Sequence, residues 1–424
     1  MQAADSLDPA PRSFLDRIGI HPPLVWGYVG LFLFMIGDGI ELGYLSKYLI
    51  DQGIADKDRA AWVFTAYGVT TAIAAWLSGA LSDLLSPRKV MSIGLVIWVV
   101  FEIAFLVLGL KPGNYGMIMA MYALRGFGYP LFAFGFLVWI SVAAPRHRLG
   151  TSMGWFWFAF TGGLLALSPR VADLSIKSIG RFETLWLSLG LVVVGGLVSL
   201  IGLQEPTGKR RLAAAGAHPL KTLLASISIA WEHPKTFIGC LVRVINTAAQ
   251  QGFVVLMPVW FAELGFADDA WLRILSYMFI SNVIWNLLFG IIGDKLGWRQ
   301  TVALCGGLGC TATTLLLYYA AKGGPANHSL IVLAAVLYGA TLAGYVPLSA
   351  LMPSLAPEKK GAAMSLLNLG AGAANWVGPG VLTLFWESRG VKVVMWTYAA
   401  LYLISAIMAL FLTLPKEEGE GATA

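Results

Sequence analysis

Charge is scarce in this chain. Asp, Glu, Lys and Arg make up 12% of its 424 residues and apolar residues 58%, whereas a soluble chain carries about 25% charge. So little charge cannot cover a water-facing surface, so most of the chain must sit in lipid. Cysteine is scarce too. Cys240, Cys305 and Cys310 all fall in apolar runs without metal-ligand spacing, which implies buried thiols and no disulfide framework. There is no histidine cluster and no GxSxG, HExxH or phosphate-loop pattern. No enzyme chemistry, cofactor or metal is therefore expected. The excess of basic over acidic residues, 29 against 23, is scattered through short loops and does not point to nucleic acid. Residues 1–21 contain Asp5, Asp8, Arg12, Asp16 and Arg17 but no apolar signal-peptide core.

Apolar periodicity gives twelve spans, near 24–50, 60–82, 90–110, 115–142, 150–172, 182–203, 235–262, 270–292, 300–321, 328–352, 362–386 and 393–414. The longest polar connection, 204–234, contains Lys209, Arg210 and Arg211. It divides the chain into a tail (1–23), a six-helix bundle (24–203), a linker (204–234), a second six-helix bundle (235–414) and a second tail (415–424). With both termini cytoplasmic, that side holds sixteen Lys and Arg against eleven on the other, as the positive-inside rule asks.

The first span places Asp38 and Glu41 about halfway along its apolar run, where a carboxylate costs roughly 2.5–3.5 kcal/mol on insertion scales. Three residues apart, they share a helix face. Both could snorkel to an interface; the preferred reading is a proton-carrying or substrate-binding pair facing a wet cavity. Arg125, deep in the fourth span, needs a carboxylate partner. Proton and guanidinium would then compete for one carboxylate, which supplies a coupling device; a static ion pair is the alternative. Glu102, in the third span, has no comparable partner in view and reads as structural or interfacial.

The halves repeat. Gly79, Asp83 and Arg88 match Gly290, Asp294 and Arg299 at an offset of 211, and the 144–150 stretch matches 356–361 at nearly the same offset. Repeat-built transporters bind cargo between their halves near the midplane. The Gly79, Asp83, Arg88, Lys89 loop, repeated at Asp294 and Arg299, resembles the signature loop of the major facilitator superfamily. Pro87 stands where that pattern has Gly. The resemblance implies an all-α membrane fold of twelve helices in two six-helix bundles. It also implies that spans one and four line the cavity, making Asp38 or Glu41 the partner of Arg125, and that the loop acts as a conformational gate.

Three stretches narrow this further: Met35-Ile-Gly-Asp-Gly-Ile-Glu-Leu-Gly43, Arg125-Gly-Phe-Gly-Tyr-Pro-Leu-Phe-Ala133 and Met153-Gly-Trp-Phe-Trp-Phe158. They look like the polyol permease family, whose members include ribitol and D-arabinitol transporters. That resemblance implies proton-coupled uptake of a sugar alcohol without fixing which one; a functional monomer in a bacterial inner membrane is expected.

The second half carries amides where the first carries charge. Asn246, Gln250 and Gln251, Asn282 and Asn286 around Trp285, Tyr345, and Asn368 with Asn375 beside Trp376 recur at helical spacing. Amides both donate and accept, which suits a ligand of many hydroxyls, and aromatic faces such as Trp157 and Tyr44 cover its C–H surfaces. For any one Asn an interhelical bond is the plainer role. The expected site therefore joins this set to Asp38, Glu41 and Arg125. Arg243 is open between the cavity and its cytoplasmic mouth. An organic-anion transporter clamping a carboxylate, a monosaccharide transporter and a drug antiporter are the rivals; a shortage of unpaired cations argues against the first.

Overall fold

The computed structural model describes residues 14–213, 219–267 and 270–414, which are helical almost throughout. Among them, nine stretches are long and apolar enough to cross a membrane. They are Trp62–Leu85, Pro87–Leu110, Tyr115–Ala143, Arg181–Gly202, Pro234–Glu263, Ala270–Leu296, Trp298–Lys322, Pro325–Leu355 and Pro357–Leu410. The last is 54 residues long and holds two passages. Gly390 ends the first of them at φ 75°, ψ 172°, a conformation glycine adopts without a Cβ clash.

Two further passages are interrupted helices. One runs through Val25–Gly39, a tight turn at Ile40–Gly43, and Leu45–Asp51. The other joins Leu149–Thr161 to Ser168–Ile179 through a π-helical turn at Gly162–Leu167. The set is consistent with twelve passages, called spans one to twelve below. Large apolar side chains such as Trp62, Ile201 and Leu384 project outward from it, as a lipid-facing surface requires.

Small residues set the closest approaches. Spans one and six meet where a Cβ on Gly30 would strike Ser199 and the Gly195 carbonyl. Two further seams cross the 204–234 linker in sequence. Gly79 of span two abuts the backbone of Gly361 in span eleven, and Gly290 of span eight abuts Gly150 of span five. Each pair becomes the other under the 211-residue offset. Backbones can approach this closely only without side chains between them.

The loop between spans two and three turns at Ser86, φ 121° and ψ 149°, the one non-glycine residue with positive φ among those described. Its repeat partner is Gly297, φ 96° and ψ 133°. The departure from the glycine pattern therefore falls on Ser86, not on Pro87, which begins the next helix. Of the cysteines, Cys240 and Cys310 are buried, whereas Cys305 is only half-buried.

Candidate functional site

Span one stops being an α-helix where its carboxylates sit. Gly37 and Gly39 press against the backbones of spans six and five, the chain tightens at Ile40–Gly43, and Tyr44 leaves helical geometry at φ −141°, ψ −15°. Asp38 Oδ1 accepts a 2.7 Å bond from Trp98 Nε1, and the Tyr67 side chain reaches the same carboxylate. Arg125 Nη1 donates to Glu102 Oε2 at 2.6 Å and also to Glu41 Oε1. Its guanidinium lies 4.4, 4.8 and 5.4 Å from the ring centroids of Tyr122, Trp98 and Tyr67.

Asp38, Glu41, Glu102 and Arg125 are each at most 3% exposed. An unpaired ion in such a place costs several kcal/mol. Glu102 is thus not the isolated or interfacial carboxylate its sequence suggests. It lies one helical turn after Trp98, on the face of span three that span four covers, and a one-dimensional pattern does not say which face that is.

Between the two halves lies a cavity of about 570 Å³. Of the sequence-derived set, Trp157, Asn246, Gln250, Gln251, Asn282, Asn286, Tyr345, Asn368 and Asn375 line it, joined by Thr71, Tyr129, Thr161 and Arg243. Three others lie elsewhere. Tyr44 turns its hydroxyl to the Arg181 carbonyl, 2.9 Å away. Trp285 packs on Phe289, ring centroids 5.2 Å apart. Trp376 is 59% exposed on the outer surface. The 100° step of a helix carries neighbours to different faces, so Trp285 and Trp376 leave the cavity that Asn286 and Asn375 enter.

Most of the cavity amides are engaged by protein. Asn282 Nδ2 donates to the Gly339 carbonyl at 3.1 Å, Asn286 Nδ2 to Asn282 Oδ1 at 3.2 Å, and Asn368 Nδ2 to Ser78 Oγ at 3.2 Å. Gln251 Nε2 donates to Asn375 Oδ1, and Tyr345 bonds Ser405. What stays unengaged is a stripe on span seven. Asn246 Oδ1 is buried without a partner, Gln250 lies one turn beyond it, and Arg243 one turn before.

Arg243 stands over the Trp157 ring, 4.7 Å from its centroid. Trp157 is itself fixed by a 3.0 Å bond to Ser349 Oγ across the halves. Among the described residues no carboxylate lines the cavity, and none forms an ion pair with Arg243. The shortage of unpaired cations inferred from sequence is corrected here. Its spacing from Asn246 and Gln250 was visible; that no acid faces it was not.

The acid cluster and the cavity touch through aromatics. Tyr129, on the cavity wall, stacks on Tyr67 at 6.5 Å and 30°, and Tyr67 reaches Asp38. Asp38, Glu41 and Arg125 are not themselves cavity-lining. Tyr67, Trp98, Tyr122, Tyr129 and Thr71 carry no charge that marks them in the sequence, although Tyr67 and Thr71 share a face of span two at i, i+4.

At one end of the cavity the halves are clasped by the repeated aspartates. Asp294 accepts from the backbone N–H groups of Gly150 and Thr151 at 2.8 and 2.6 Å, from the Thr151 hydroxyl at 2.6 Å and from Trp298 Nε1 at 2.8 Å. Asp83 accepts from the backbone N–H groups of Gly361 and Ala362. Both carboxylates thus cap the first turn of a helix in the opposite half, where free N–H groups and the positive dipole end converge. The basic residues of the loop do otherwise. Arg88 and Lys89 form no ion pair with Asp83 among the described residues, and Arg299 Nη1 donates to the Leu410 carbonyl at 3.3 Å.

The family described as Major Facilitator Superfamily matches residues 27–318 and, overlapping, 239–424. Alpha-ketoglutarate permease of Bacillus subtilis (strain 168) is 41% identical over 411 residues, 96% of this chain and 93% of that protein. The D-arabinitol transporter of Klebsiella pneumoniae is 35% identical over 402 residues, 93% of each chain. Among solved structures, the fucose:proton symporter of E. coli superposes with a TM-score of 0.76 at 14% identity, covering 93% of this chain and 100% of that one. An all-helical multi-pass architecture, a cavity between repeated halves and relatives matched over nearly their whole length agree: the chain belongs to the Major Facilitator Superfamily and is a membrane transporter rather than an enzyme.

Proposed function

We propose that this protein takes up a small organic carboxylate together with protons, by alternating access between the halves 24–203 and 235–414. The observation that carries the reading is Arg243: a cation in the central cavity, with no acid facing it, stacked on Trp157. A guanidinium in a water-poor site is costly without an anion, and its planar fork matches a carboxylate. Asn246 and Gln250 along the same stripe suit a carbonyl or hydroxyl on the same solute. The relative named alpha-ketoglutarate permease, at 41% identity, supports a solute of this class.

Proton coupling is assigned to Asp38, Glu41 and Arg125, which connect to the cavity through Tyr67 and Tyr129. The Asp83 and Asp294 clasps serve as the gate. In this reading they close the cytoplasmic end, both termini are cytoplasmic, and a monomer in a bacterial inner membrane suffices.

A sugar alcohol is the second reading, favoured by the amide-rich wall and by the relative named D-arabinitol transporter. One experiment separates them. Purified protein in proteoliposomes is offered labelled 2-oxoglutarate or D-arabinitol, with and without an inward proton gradient, beside Arg243→Ala. Gradient-driven accumulation of 2-oxoglutarate, lost in Arg243→Ala, is the expected result. Accumulation of D-arabinitol instead, unaffected by Arg243→Ala, replaces the first reading with the second.

A further inference from the structure

The acid cluster contains more acid than its arginine can neutralise. Asp38, Glu41 and Glu102 surround Arg125, and all four are buried. With every group ionised the cluster would carry a net charge of minus two inside a membrane protein. The groups facing Glu102 and Arg125 from each neighbouring element do not change the count. Span one brings Asp38, Glu41 and Tyr44; span two brings Tyr67; span four brings Tyr122 and Arg125. The tyrosines are neutral and Arg125 is the only cation among them.

The hydrogen bonds make the same point atom by atom. Glu41 and Glu102 both lean on the single Nη1 of Arg125. Their other oxygens, Glu41 Oε2 and Glu102 Oε1, are buried with no partner at all. A carboxylate leaves such an oxygen costly, whereas a neutral carboxyl tolerates it. One guanidinium can balance one of the two glutamates, not both.

We infer that Glu102 is a second proton site: this conformation of the protein holds two protons among Asp38, Glu41 and Glu102, and Arg125 passes between Glu41 and Glu102 as they exchange the second one. Release of a proton from either glutamate gives that glutamate the claim on Nη1, and the other then holds its proton. Two protons would thus accompany each solute, which matters for an anion: they let a singly or doubly charged carboxylate enter without adding negative charge to the cell. The transport step rests on the proton-coupled reading above; the proton count does not, because it follows from the buried charges alone.

The test needs no solute. Infrared absorption of protonated carboxyl groups is measured at neutral pH on purified wild type, Glu102→Gln, Glu41→Gln and the double variant. Glu387→Gln, an exposed carboxylate, is the control. Each single variant is expected to lose the absorption of one carboxyl, the double variant that of two, and Glu387→Gln none. Glu102→Asp, which keeps a titratable group, should restore the band if the loss is due to the proton and not to misfolding. An unchanged band in Glu102→Gln overturns the inference. A second measurement, the reversal potential in proteoliposomes with whichever probe is carried, should show the proton-to-solute ratio falling from two to one in Glu102→Gln. If neither 2-oxoglutarate nor D-arabinitol is carried, the solute reading fails while the infrared result still decides this one.

Discussion

Arg243 and Trp157 meet across the cavity from opposite halves of the chain, guanidinium carbon 4.7 Å from the ring centroid. The contact places a cation on the cavity wall and holds it with a neutral face. Trp157 steadies the guanidinium without consuming its hydrogen-bonding edge, as an Asp or Glu would. Under the proposed function, that edge is what a carboxylate of the solute would meet.

Replacing Arg243 with Ala should therefore weaken binding of 2-oxoglutarate about ten- to a hundredfold, the value of a charge-assisted hydrogen bond of roughly 1.5–3 kcal/mol. Arg243→Lys should recover only part of this, because an ammonium lacks the planar fork. Calorimetric titration of the purified protein measures both. Equal affinity in wild type and Arg243→Ala would remove Arg243 from the site.

The two aspartate clasps make separate contributions to one closed end. Asp294→Ala removes three hydrogen bonds to the opposite half and Asp83→Ala removes two. At about 1.5–3 kcal/mol per charge-assisted bond, each should shift the equilibrium toward opening at this end by more than tenfold. Spin labels placed by Leu85→Cys and Leu296→Cys in a cysteine-free background report it. The distance distribution should gain a longer component in each single variant and be dominated by it in the double variant.

Ser86 occupies a backbone conformation, φ 121° and ψ 149°, that is essentially reserved for glycine and costs about 1–3 kcal/mol elsewhere. Its repeat partner is Gly297. Ser86→Gly should raise the apparent Tm by about 2 °C, and Ser86→Ala should not. A scan of intrinsic fluorescence against temperature checks the order of the three proteins.

Beyond the end of span six, Glu205 is set in a socket. Trp139 Nε1 donates to Oε2 at 2.6 Å, the Thr207 hydroxyl at 2.5 Å and the Gly208 N–H at 3.2 Å, while the Thr207 N–H donates to Oε1 at 3.0 Å. Burial pushes this carboxyl upward, but the bonds from Thr207, Trp139 and Gly208 outweigh it, and the group titrates below its usual 4.5. A carboxylate with a depressed folded pKa stabilises the protein above its unfolded value, and that contribution is lost as pH falls through the folded pKa. Glu205→Gln should lower Tm at pH 7 and flatten the acid limb below about pH 4.5. Parallel acid limbs for the two proteins would show that the socket does not contribute.

Trp376 is 59% exposed on the outer surface, so Trp376→Leu should leave initial uptake within about twofold of wild type, as a lone surface apolar residue would. Trp157→Leu should lower uptake in the same assay, since it removes the face beneath Arg243. A large loss in Trp376→Leu would return that residue to the transport site.

The sequence by itself determined the membrane class, the approximate extents of the spans and the repeat. Charge scarcity and apolar run length are local quantities that lipid reads directly. It also determined that Asp38, Glu41 and Arg125 needed explaining, because an ion amid apolar residues is anomalous wherever the chain goes. The 211-residue offset matched the two aspartate loops to each other, but which helix ends Asp83 and Asp294 would reach was not in it. Only the tertiary structure decided which side chains face one another. It brought Glu102 of span three onto Arg125, turned Trp285 and Trp376 away from the cavity, engaged most of the amides with protein, and left Arg243 facing open space. Those outcomes depend on the rotation of each helix about its axis and on which neighbour covers which face. Such quantities are set by the packing of all the spans together, through close approaches such as Gly79 on Gly361, and no single stretch of sequence encodes them.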